Sequence, residues 1–244
     1  MRKKIRFYPQ SDHTKCGPAC MVMLLDFYQR IDRSAPGLQK RLQGLEKQLY
    51  DVHHSRTYRI VTADGKEQTG GVTAAAMARC LGSEKYRLYP TVLHSSPQLL
   101  ENRDEYLEPE LFERFRAEYI AKLQDCSHRV TVRTGEVLNC DALRAQLDAG
   151  RKVAVEIVVD GDADGVHDKV LHWVLVGGYE GDIFWVYDPN PNSRKRPVCA
   201  QEMEQYMDTP LGKIWVAVTD TADPALQNPP PAKAGLCAEE TGPA

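Results

Sequence analysis

Between Cys16 and Tyr28 the chain reads CGPACMVMLLDFY, and no other stretch limits the fold as much. Met21 to Leu25 would be apolar on every side of a helix, and the run holds no glycine or proline after Pro18. A surface helix keeps one polar face, whereas one that is apolar all round must be enclosed by protein. Pro18 suits a first helical turn, because its missing N–H would have no intrahelical partner there anyway. The pattern predicts a buried helix opening near Cys16.

Helical signals dominate the first part of the chain. Leu38, Leu42, Leu45 and Leu49 recur with helical period over 37–50. A hairpin is expected over 56–68, with Asp64-Gly65 as its turn. Thr73 is a good N-cap for an alanine-rich helix over 74–81 that Gly82 ends. A strand is expected over 86–93 and an amphipathic helix over 109–124. Later, Asp141 reads as the cap of a helix over 142–149, followed by a buried strand over 153–159 and an acidic loop over 160–168. Two strands, 171–176 and 183–187, are expected around a turn made by GGYEGD, then a short helix over 200–207 and a last strand over 213–219. Helices first and strands late predict an α+β fold, an N-terminal helical part packed on a C-terminal antiparallel sheet. The domain is expected to span 1–220, and the Pro/Ala/Gly-rich segment 221–244 to be a disordered tail.

Bulk properties exclude several functions. Lys and Arg total 31 against 34 Asp and Glu, so no basic excess calls for nucleic acid. No run approaches the roughly 18 apolar residues of a membrane span. The basic start MRKKIRFYPQ is not followed by an apolar stretch, so no secretion signal is read. Seven scattered cysteines argue for reduced thiols in the cytoplasm rather than a disulfide framework. No CxxC pair or His/Cys cluster has zinc-ligand spacing, and neither a metal nor a cofactor is expected. The oligomeric state is left open.

Four residue types could carry chemistry. Cys16 stands where a helix begins, and unpaired N–H groups with the helix dipole favour a thiolate there. Gly17 would let a substrate backbone approach. His172 opens an apolar strand, which would hold a general base rigidly. Asp188 ends the next strand, at the same end of the sheet if the two strands pair as a hairpin, where it could orient the imidazole. Gln10, six residues before Cys16, could donate to a developing oxyanion. Taken singly, each has an ordinary reading: a small core cysteine, a satisfied histidine, a turn aspartate before Pro189, a loop glutamine. Their order and spacing together are what point to a thiol nucleophile with a histidine base.

QSDHTKCGPAC at 10–20, with LHWVLVGGYEGDIFWVYDPN at 171–190, resembles the C39-like peptidase family of papain-like enzymes, some of which cut leader peptides after a Gly-Gly pair. TGGVTAAAMARCLG and LRAQLDAGRKVAVEIVV are similar to further parts of that family, so the likeness covers roughly 5–30, 70–93 and 139–219. It implies a papain-like fold and a peptide or protein substrate. It also implies Cys16 as nucleophile, His172 as base, Asp188 as orienting residue and Gln10 in the oxyanion hole. Segments of about 31–69 and 94–138 read as insertions that shape the cleft. Lys15 stands where the family often has Asp, and a cation there would favour a thiolate. No phosphate-binding GxxxxGK[ST] loop is present.

Cys20 lies one helical turn after Cys16 and reads as buried packing rather than a redox partner. His13 and His167 are rival bases. Gly70-Gly71 reads as a helix-start turn, not a self-processing site. The expected activity is hydrolysis of a peptide bond, at a Gly-Gly-type or similar small-residue site. Glutamine deamidation, acyl transfer or peptide synthesis on the same residues is the alternative, and a non-catalytic binding module the lesser one.

Overall fold

The computed structural model describes residues 4–56, 59–61, 67–100, 109–160, 169–209 and 211–222. Six helices occur among them: α1 (Cys16–Phe27), α2 (Leu38–His53), α3 (Ala74–Leu81), α4 (Pro109–Gln124), α5 (Cys140–Asp148) and α6 (Ala200–Met207). Strands β1 (Arg59–Val61) and β2 (Glu67–Thr69) pair as an antiparallel hairpin, whose expected turn at Asp64-Gly65 lies outside the described residues. The other strands are β3 (Tyr89–His94), β4 (Thr131–Arg133), β5 (Lys152–Asp160), β6 (Lys169–Glu180), β7 (Ile183–Asp188), β8 (Arg194–Cys199) and β9 (Ile214–Thr219). They form one sheet in the order β4-β3-β9-β5-β6-β7-β8.

The α+β class is as expected, with two corrections. The sheet is antiparallel except for β3 and β4, which run parallel. Its second face is also covered by helices: Leu143 and Leu147 of α5 and Met203 and Met207 of α6 pack on Val153, Val155, Val174 and Val176. The first face packs α1 and α3 over Ala154, Trp173, Leu175, Val216 and Val218, with α4 against α3. A sheet covered on both faces needs apolar residues at successive positions, which is why β5 and β9 read VAVEIVV and IWVAV.

Helix α1 is enclosed as its sequence demands, every residue from Cys16 to Leu25 being buried. The segments read as insertions contribute to the core, through Leu42 and Leu49 of α2 and through Phe112, Phe115 and Tyr119 of α4. Thr73 caps α3 as read, its hydroxyl accepting from the Ala76 N–H. Helix α5 differs: Asn139, not Asp141, is its cap, and the Asn139 side chain accepts from the Ala142 N–H at 2.9 Å. Gly70-Gly71 leads into α3, and the Gly71 carbonyl accepts from the Ser55 N–H. The expected tail falls almost wholly outside the described residues, as does the acidic loop beyond Asp160.

Candidate active site

Cys16 is the first residue of α1, and no side chain caps the helix start. The N–H groups of a first turn have no intrahelical acceptors, so the positive end of the helix dipole stands beside the sulfur. The Lys15 ammonium bonds Asp12 at 2.5 Å and the Ser11 hydroxyl at 3.0 Å, and it lies over the Tyr50 ring. Gly17 also has another use than the one expected. A Cβ there would stand 3.1 Å from the Val72 Cβ and 3.5 Å from the Trp173 ring, so the missing side chain lets α1 meet its protein neighbours. Cys20 is fully buried, and its thiol donates to the Trp173 carbonyl at 3.5 Å. Burial pushes that thiol far up, followed by the charges of Cys16 and Asp188.

His172 lies near the start of β6, with only 8% of its surface exposed. Nε2 lies 2.8 Å from Asp188 Oδ1, and Cys16 is close enough to act on the charge of the ring. With Nε2 taken by the carboxylate, Nδ1 is the nitrogen that remains for the sulfur. Burial alone would depress the imidazolium, but the hydrogen bond to Asp188 and the negative charges of Cys16 and Asp188 prevail, and His172 is pushed up to about 10. Burial would raise the Asp188 carboxyl, yet bonding to His172, the His172 charge, the Asn190 N–H and Ser193 hold it below its ordinary value. The Asn190 N–H donates to Oδ1 at 2.9 Å, fixing the carboxylate from the turn beyond β7.

A β-bulge interrupts the pairing of the two strands that carry His172 and Asp188. From Glu180↔Ile183 to Gly178↔Trp185 the strands pair in one register, and from Val176↔Val186 to Leu175↔Tyr187 in a register shifted by one. Gly177 is the extra residue. The shift lies on β6 ahead of the end of β7 that carries Asp188, and because side chains alternate along a strand it changes which β6 residues the end of β7 meets. The expected turn at GGYEGD is therefore corrected: strand β6 runs through Gly177-Gly178, and the turn is Gly181-Asp182, with Gly181 at φ +57°.

Gln10 is buried and held close by: its N–H donates to the Pro189 carbonyl at 2.8 Å, next to Asp188. Its side-chain Oε1 is buried and has no partner among the described residues. An oxyanion would need the amide Nε2, since Oε1 can only accept. Of the rival bases, His13 is exposed and His167 lies outside the described residues.

Glu46 of α2 escaped the sequence reading. It is 1% exposed and accepts from the Ser11 N–H at 2.9 Å and the Tyr8 hydroxyl at 3.3 Å. The signal was present, since Leu42, Glu46 and Leu49 share one helix face.

Helices on a mainly antiparallel sheet, with a thiol at a helix start beside an imidazole and carboxylate on paired strands, define a papain-like chain. The chain belongs to the Peptidase_C39 like family, whose model matches residues 5–209. No curated protein matches. Similar solved structures include a double glycine motif protease from an AMS/PCAT transporter in complex with the leader peptide, at 13% identity and TM-score 0.43, over 89% of this chain and 93% of that one. The peptidase domain of Streptococcus ComA, a bi-functional ABC transporter involved in a quorum sensing pathway, is 13% identical at TM-score 0.40, over 88% and 97%. A C39-like peptidase structure from Bacillus anthracis is 11% identical at TM-score 0.49, over 91% and 97%.

Proposed function

We propose that this chain is a cysteine peptidase with Cys16 as nucleophile, His172 as acid and base, Asp188 as the residue orienting His172, and Gln10 as an oxyanion donor. The observation that carries the reading is the imidazole bonded to a carboxylate at 2.8 Å through Nε2, with Cys16 at the start of α1 near enough to raise the charge of that ring. The attacking species is the thiolate form of Cys16, and His172, pushed up to about 10, carries the proton that the leaving group needs.

The thiolate forms a bond to the scissile carbonyl carbon. The oxygen gains the charge, which the Cys16 N–H and the Gln10 amide stabilise. His172 gives its proton to the departing amine as the C–N bond breaks, leaving a thioester. A water then loses a proton to His172, attacks the thioester carbon and releases the acid and the thiolate. The substrate is a peptide or protein, cut after a Gly-Gly or similar small-residue pair. That preference is supported by the resemblance of the sequence motifs, and a cytoplasmic, reducing setting for the thiol by the seven scattered cysteines.

The test is mass spectrometry of a peptide mixture that includes Gly-Gly sequences, incubated with the wild-type protein and with Cys16→Ala. The reading expects new termini with the wild type alone. A gain of about 1 Da without cleavage would make the protein a deamidase instead.

A further inference from the structure

We infer that Glu46 is a positioning residue for the oxyanion hole, so that α2, a segment outside the part resembling the family's motifs, belongs to the catalytic apparatus. The inference rests on the assignment of Gln10 above.

Three features carry it. First, the loop with Gln10 is held on both sides: Gln10 itself bonds the Pro189 carbonyl, while its neighbours Tyr8 and Ser11 bond the two carboxylate oxygens of Glu46. Second, the carboxylate is out of place in energetic terms. It lies within the buried Leu42–Leu49 stripe, where an apolar residue would pack without desolvating a charge. Burial pushes its carboxyl up, against the Ser11, Lys15 and Tyr8 interactions that lower it. Third, Ser11 is separated from the nucleophile by four residues, and Lys15 at the end of that span lies over Tyr50 of α2. The loop is thus tied to α2 at Tyr8, Ser11 and Lys15. A side-chain amide stabilises an oxyanion only if its donor is aimed before charge develops, and the backbone around Gln10 has no strand or helix of its own to aim it.

The experiment uses two probes of the same sulfur. p-Nitrophenyl acetate acylates Cys16, forming a thioester and releasing p-nitrophenolate through an oxyanion. Iodoacetamide alkylates it with loss of iodide and no oxyanion. Glu46→Leu fills the apolar stripe and removes both acceptors; Glu46→Met serves should leucine overpack. The inference expects acylation by Glu46→Leu to fall about tenfold, part of the loss that removing an oxyanion donor outright causes. Alkylation should stay within about twofold, and Glu46→Gln, which keeps an acceptor oxygen, should recover most of the acylation. In a Gln10→Ala background, which alone lowers acylation, Glu46→Leu should cause no further loss. Equal falls in acylation and alkylation, or a full further loss in the Gln10→Ala background, would overturn the role of Glu46 while leaving that of Gln10 intact. Unchanged acylation in Gln10→Ala alone would remove the oxyanion assignment, and the role of Glu46 with it.

Discussion

Gly177 faces the Tyr187 ring so closely that a Cβ on the glycine would stand 2.7 Å from Cε2, and equally close to Ile5 Cδ1. The contact marks the bulge ahead of the strand end that carries Asp188. Gly177→Ala forces the ring or the bulge to move. The expected cost is about 1–3 kcal/mol of stability, as for overpacking in general. Peptidase activity should fall by more than the unfolded fraction explains. Urea unfolding and activity measured on the same samples check this; activity in proportion to the folded fraction would mean that the bulge does not set the His172–Asp188 geometry.

Asp188 should govern the charge of His172. In Asp188→Asn the carboxylate charge is lost, so burial, which favours the neutral ring, gains ground and the midpoint moves from about 10 toward the ordinary 6.5. NMR of protein carrying 13C-labelled histidine reads the titration directly. A midpoint unmoved by the substitution would leave Asp188 without its role.

The same pair predicts a stability profile. A raised pKa in the folded state means that the contribution of His172 is complete below pH 6.5 and is lost as pH rises through about 10. Asp188 acts in the opposite sense: its lowered pKa contributes above its ordinary 3.8 and fades as pH falls below it. The melting temperature should therefore decline between pH 6.5 and 10, and His172→Ala should flatten that decline. An equal slope in both proteins would contradict the pairing.

Glu156 is a separate case. Burial pushes this β5 carboxyl up to about 8, and its Oε2 has no partner among the described residues. The folded protein holds a proton there that the unfolded chain releases near 4.5, so stability is lost as pH rises from 4.5 through 8. Glu156→Gln keeps the shape without the titration. Its stability should match the wild type near pH 5 and exceed it at pH 9, by melting temperature; equal stability at pH 9 would mean that the carboxylate finds a partner when charged.

Much of the site could be read from the sequence because its residues stand at the ends of elements with strong local signals. Pro18 and the apolar run marked the start of α1, and Asp188 closed an apolar and aromatic strand before Pro189. Thr73 and Gly82 bounded α3 through chemistry confined to a few residues. What was missed depends on tertiary partners. Strand β8, RKRPVC, is charged and carries Pro197, a composition tolerated at a sheet edge where only β7 supplies bonds. Gly177-Gly178 serves equally as turn or bulge, and only the pairing with β7 decides between them. Asn139 and Asp141 are both competent caps, and the helix uses the first, with Asp141 in its first turn.

The central claim is that the Cys16 sulfur owes its reactivity to His172, and the rate of iodoacetamide alkylation at pH 6, located by peptide mass spectrometry, tests it most directly. The account predicts rapid labelling of Cys16 in the wild type and a rate at least about tenfold lower in His172→Ala, where the cation that stabilises the thiolate is gone. Equal rates in the two proteins would contradict it.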